Sequence, residues 1–144
     1  MEKLNQLTDH LRHHVPGLRN NPDALVVFAE NGQLDCHHQS TLNFGYRFNA
    51  VLIFSDLGCH TDFVFVPLLD WIRQHETELP ADGVRFMATP LDGERYDLRI
   101  ELPLSQRVMV TANSHGQWTT EHPPEPQPDW RGDFPALASV SPAR

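Results

Sequence analysis

Apolar positions near the start of the chain fall three and four residues apart: Leu4, Leu7, Leu11, Val15 and Leu18. Asp9, His10, Arg12 and His13 lie opposite. This spacing predicts a surface helix packed by one face. Pro16-Gly17 weakens its end, and Asn20-Asn21-Pro22 breaks the chain into a loop. The pattern then changes. Residues 25–30 are rich in β-branched and aromatic side chains and lead into Asn31-Gly32. That dipeptide is the strongest short signal for a type I′ turn, so a hairpin returning over residues 33–39 is expected. Between 42 and 54 the period is two. Leu42, Phe44, Tyr46, Phe48, Ala50, Leu52 and Phe54 share one face. Asn43, Gly45, Arg47 and Asn49 share the other, until Val51 and Ile53 make it apolar too. The expectation is a long strand, covered on one side early and on both sides late, that projects beyond the core.

Ser55-Asp56-Leu57-Gly58 stops this strand, and a helical period follows. Phe65, Leu68, Leu69, Ile72 and Leu79 form its stripe; Asp70, Arg73, Gln74, Glu76 and Glu78 fall largely off it. Thr61 or Asp62 is the expected N-cap. Pro67 fits either a bent helix starting near Asp62 or a first-turn position in one starting near Val66. A β-meander is expected next, with a strand at 84–88 and a turn at Thr89-Pro90-Leu91-Asp92-Gly93. Tyr96, Leu98, Ile100, Leu102 and Leu104 then alternate with Asp97, Arg99, Glu101 and Ser105. Residues 106–113 are expected to pair back, with a short strand at 117–120. The fold class is thus α/β (α+β): a mostly antiparallel sheet of five to seven strands with two principal helices packed on it.

Composition shifts after residue 120. Residues 121–144 hold six of the twelve prolines. Such a segment lacks backbone donors and apolar periodicity, so a folded domain over 1–120 and an extended, proline-rich arm over 121–144 are expected. Trp130, Phe134 and Leu137 are its sizeable apolar groups, suited to docking on a partner or on the domain itself.

Charge and chemistry narrow the function. At 144 residues and 40% apolar content the chain suits one globular core. It has no run long enough for a membrane span and no apolar leader at its start, so retention in the compartment of synthesis is expected. A net charge of −8 argues against sequence-specific or general nucleic-acid binding. The two cysteines, Cys36 and Cys59, are expected to be reduced and buried. Cys36-His37-His38, Cys59-His60 and His13-His14 are ligand types that zinc accepts. A strand sends Cys36 and His38 to one face and His37 to the other, and no C-x-x-C or H-E-x-x-H motif is present. A small metal-binding protein therefore remains an alternative, with solvent-facing histidines the plainer expectation. The serines, at 40, 55, 105, 114, 139 and 141, have no nucleophile-elbow context, and Asp97 and Glu101 are most simply solvated. No cofactor and no catalysis are expected.

Several stretches carry a family pattern. They are Asn21-Pro22-Asp23 with a following strand and Glu30-Asn31-Gly32, then the aromatic strand ending in Ser55-Asp56. Val66-Pro67-Leu68-Leu69-Asp70-Trp71-Ile72-Arg73 with Glu78-Leu79 is the most specific. Tyr96-Asp97-Leu98-Arg99-Ile100-Glu101-Leu102 and the Pro123-Pro124-Glu125-Pro126 run complete the set. In order and spacing these resemble the phage tail completion protein R family of temperate phages with contractile tails, over residues 1–128. Residues 130–144 depart from the pattern. The resemblance implies a tail-terminator-like fold and a virion structural protein, assembled in the bacterial host cytoplasm, that completes the tail before it joins the head. Its implied partners are the tail tube and other tail or head-connector proteins. By fold-level analogy it would form a hexameric ring, with DNA passing through the lumen. An acidic lumen would repel the duplex, although the same charge also serves solubility. A ring needs two different patches that meet. Phe44, Tyr46, Arg47 and Phe48 on the projecting strand, and Pro124, Pro126, Trp130 and Phe134 on the arm, are the candidate assembly interface. Their plain alternative is that the strand aromatics cover the first helix in the core. A transient tail-assembly chaperone is the other functional alternative.

Overall fold

The computed structural model describes residues 1–36 and 41–123. Helix α1 spans Glu2–His14 and buries Leu4, Leu7 and Leu11, as its three-four spacing requires. Glu2 in its first turn and Arg12, His13 and His14 in its last complement the helix dipole. Val15 leaves the helix in an extended conformation, and Gly17 turns the chain at a φ of 89°. A 3-10 turn over Pro22–Ala24 then leads into the sheet.

Strands β1 (Leu25–Cys36), β2 (Phe44–Leu57), β3 (Arg85–Pro90), β4 (Tyr96–Ala112) and β5 (Trp118–Glu121) form a five-stranded sheet in the order β1-β2-β4-β3. β5 pairs the far end of β4, and every pairing is antiparallel. Ala50, Leu52 and Phe54 of β2 and Leu98, Ile100 and Leu102 of β4 are fully buried on one face. They join α1 and helix α2 (Asp62–His75) in one core. Among the described residues the other face carries no helix. Val51 is nonetheless fully buried there, between Phe28 on β1 and Glu101 on β4. Ile53 is only half-buried.

Three expectations are corrected. Asn31-Gly32 is not a hairpin turn. β1 runs through it, with Glu30 opposite Asn49 and Gln33 opposite Arg47, so two residues of β1 face one of β2. This is a β-bulge. Asn31 has a φ of +56°, the left-handed conformation that this bulge shares with a type I′ turn. The dipeptide signalled the conformation and not the topology. Of the return strand expected at 33–39, residues 33–36 continue β1 and the rest lie outside the described residues. Second, residues 106–113 do not pair back. β4 is a single 17-residue strand whose inward alternation continues through Gln106 and Val108, both buried. The polar Gln106 only resembled a turn.

Third, α2 has a different stripe. It begins at Asp62 and carries Pro67 inside, with Val64, Pro67, Leu68, Asp70, Trp71 and Ile72 buried. Leu69 is 52% exposed. Leu79 lies beyond the helix but still packs against the core. Asp70 tolerates burial because Gln74 donates to it at 3.2 Å and Arg73 stands 4.0 Å away. Glu76, at the C-cap, is buried for a similar reason.

The outer edge of β4 between its β3 and β5 pairings is closed by side chains. Glu76 Oε1 accepts from Ser105 N at 2.7 Å and from Lys3 Nζ at 3.0 Å. Lys3 Nζ also donates to Ser105 O at 2.6 Å. Lys3 and Glu76 are 6% and 8% exposed. A buried ion pair thus stands in for a missing strand and ties both helices to the sheet. Pro103, which has no N–H, sits on this same unpaired stretch, where its missing donor costs least.

Candidate assembly surfaces

The candidate strand residues separate by face. Phe44, Tyr46 and Phe48 form a ladder on the helix side of β2, with ring centroids 6.4 and 6.0 Å apart. Phe48 is buried in the core, Tyr46 packs against it, and Phe44 is half-buried. Burial, and secondarily Glu2, pushes the Tyr46 hydroxyl pKa up. Arg47 lies on the opposite face, where Nε and Nη2 donate to the two Asp35 oxygens at 3.1 and 3.0 Å. β2 is flanked by β1 and β4 over residues 44–54, so its backbone is already paired. Around the bulge, Met1, Asn31, Gly32, Leu34, Tyr46 and Arg47 line a groove of about 490 Å³. Leu34 is 63% exposed. Pro124, Pro126, Trp130 and Phe134 lie outside the described residues.

Other exposed apolar side chains stand on the outer strands of the sheet. Val26 and Phe28 on β1, and Phe86 and Met87 on β3, are all exposed. Every residue of β3 is exposed, although Phe86 rests on Phe65 with ring centroids 5.1 Å apart. Sequence reasoning passed over these residues. Their signal was loss of alternation: Val26-Val27-Phe28 and Phe86-Met87 place apolar groups on both faces of a strand. The β4–β5 hairpin adds Met109 and Trp118, also exposed.

Titratable groups do not converge into a reaction centre among the described residues. Cys36, expected to be buried, is exposed at the end of β1. Cys59 is half-buried, and burial pushes its thiol pKa up. Tyr96 donates its hydroxyl to the Cys59 carbonyl at 2.5 Å, and burial is the main cause of a pKa raised to about 12. His10, expected to face solvent, instead hydrogen-bonds the Pro67 carbonyl at 2.9 Å across the helix pair. Burial, then neighbouring His14, lowers its pKa. Among the described residues no three His, Cys, Asp or Glu side chains are grouped so as to hold a metal ion. His37 and His38 lie outside them.

The described surface offers exposed strand edges and apolar side chains. The family model of the P2 phage tail completion protein R (GpR) matches residues 1–126. The chain belongs to this family. It is 28% identical over 137 residues to tail completion protein R of Escherichia phage P2, covering 89% of this chain and 88% of that protein. No solved structure matches. Tail completion protein R membership makes the chain a structural component of a phage tail.

Proposed function

We propose that the chain completes the tail at its head-proximal end as a ring of identical copies, sixfold to match the tube, and presents a surface for head joining. It works by contact, without catalysis or cofactor. The observation that carries this reading is the family match along residues 1–126, joined to a sheet whose outer strands expose apolar side chains. Subunits of a closed ring must bury such surface against one another. Phe44, Tyr46 and the groove around the bulge are the surfaces offered to a further tail protein, with the arm beyond residue 123 reaching a neighbour through Trp130 and Phe134.

Light scattering over a range of concentrations, with and without polymerised tail tube, tests the reading when combined with negative-stain microscopy. A sixfold ring, alone or capping one tube end, is the expected result. A monomer or dimer that ignores the tube would overturn it in favour of a transient assembly factor. Deleting residues 124–144 is expected to leave a folded domain that caps tubes less well.

A further inference from the structure

The two outer edges of the sheet are complementary to each other, and we infer that neighbouring copies join by antiparallel pairing of β1 in one copy with β3 in the next. This deepens the ring reading above and rests on it. In an antiparallel strand, the N–H and C=O of one residue point to the same side, and the side alternates along the chain. On β1 the Leu25 carbonyl accepts from Arg12 Nη2 at 3.1 Å, which directs it off the sheet. The outward residues of β1 are therefore Leu25, Val27 and Ala29. On β4, Ser105 points its N–H and C=O away from β2, towards Glu76 and Lys3. Arg99 and Glu101 share that side and bond Met87 and Arg85 of β3. The outward residues of β3 are therefore Phe86, Ala88 and Pro90. No hydrogen bond within the described residues reaches the outward groups of Val27, Ala29, Phe86 or Ala88.

One register satisfies both edges. It sets Phe86 opposite Ala29, Ala88 opposite Val27 and Pro90 opposite Leu25. All three are pairs of outward residues; Phe86 with Ala29 and Ala88 with Val27 can exchange backbone bonds, while the Leu25 N–H already donates to the Pro22 carbonyl. Pro90 has no N–H to give, and it falls against the one carbonyl that Arg12 already satisfies. On the helix-free face the same register brings Arg85 to Glu30 and Met87 to Phe28. Opposite charges and apolar groups then meet directly across the junction. Shifting the register by two residues one way puts Arg85 against Phe28. Shifting it the other way runs Arg85 into the bulge. The two edges lie at opposite sides of each copy, so the junction is heterologous and repeats from copy to copy.

The test uses the full chain in a Cys36→Ser, Cys59→Ser background, with Phe28→Cys in one preparation and Met87→Cys in a second of different mass. Both sites are surface positions, and their proposed pairing falls in the close, non-hydrogen-bonded class that a disulfide can span. On mixing and mild oxidation with tail tubes present, the Phe28–Met87 heterodimer is expected to exceed either homodimer several-fold. Arg85→Glu should lower that yield, and Glu30→Arg in the partner preparation should restore it. Tube capping without the heterodimer would overturn the edge pairing and leave the ring reading standing. A heterodimer without capping would support the pairing and overturn tail completion. A dominant Phe28–Phe28 product would overturn the heterologous junction.

Discussion

Removal of the Glu76 carboxylate probes how the two helices are held on the sheet. In Glu76→Ala the Lys3 ammonium, 6% exposed, loses its carboxylate partner while keeping the Ser105 carbonyl at 2.6 Å. The Ser105 N–H, which donates to Glu76 at 2.7 Å, loses its acceptor on a stretch of β4 whose outer edge has no strand beside it among the described residues. Breaking a buried pair from one side costs about 3–5 kcal/mol, and an orphaned buried donor about 1–3 kcal/mol. The two costs overlap because one relaxation can hydrate both groups. The expected loss is therefore about 3–5 kcal/mol, a large share of the ~5–15 kcal/mol available to a domain. Removing both charges in Lys3→Met, Glu76→Leu should cost less than Glu76→Ala alone. What remains is the Ser105 N–H and C=O, which lose Glu76 and Lys3 together on a part-buried edge that water can reach, about 1–3 kcal/mol. Urea unfolding followed by tryptophan fluorescence measures each variant, and an unchanged m-value keeps the comparison valid. A Glu76→Ala loss below about 1 kcal/mol would refute the reasoning, because it would place the pair among hydrated surface bridges. Strict additivity of the two single changes would refute it equally.

Other perturbations test other parts of the fold. Trp71→Ala should cost about 3–5 kcal/mol in the same assay, since the ring is 2% exposed within the shared core; a loss under about 1 kcal/mol would contradict that packing. Asn31→Gly should stay within about 0.5 kcal/mol of the parent, while Asn31→Val should cost about 1–2 kcal/mol, because only the latter resists a positive φ. Equal thermal midpoints for the two variants would argue against the bulge. Tyr96 should ionise at about 12 in a spectrophotometric titration, well above a free tyrosine at about 10. The native state then holds this proton where the unfolded chain has lost it. The contribution to stability is full below pH ~10 and is lost as the pH rises from there towards ~12; Tyr96→Phe should flatten that part of the stability profile.

Much of the architecture was legible from periodicity alone. The stripe of α1, the alternation of β2 and the inward run from Leu98 to Leu104 each describe burial that is local to one element. They were read correctly because a helix or strand shows its buried face at a fixed spacing. The family pattern was legible too, since it lies in the order of several such segments. The errors share a cause. Asn31-Gly32 states a backbone conformation, and only the β1–β2 register determines whether that conformation turns the chain or bulges it. Glu76 read as a solvent position because its partners, Lys3 and Ser105, are set by tertiary contact; Asp70 did so although its partners, Gln74 and Arg73, stand on its own helix, because the side of the helix that is covered is a tertiary matter.

The assembly surfaces divide in the same way. Aromatic alternation pointed to Phe44, Tyr46 and Phe48, but alternation cannot say whether a face meets its own helices or another molecule. The strand order decides that. By placing β2 inside the sheet and leaving β1 and β3 at its margins, it turns Val26, Phe28, Phe86 and Met87 into exposed edge residues. The sequence by itself determined the kinds of element, the apolar face of α1 and of the central strands, and the family. Only the tertiary structure decided which strands became edges and which charges became buried partners. Both depend on which segments become neighbours, and no local spacing of residues encodes that.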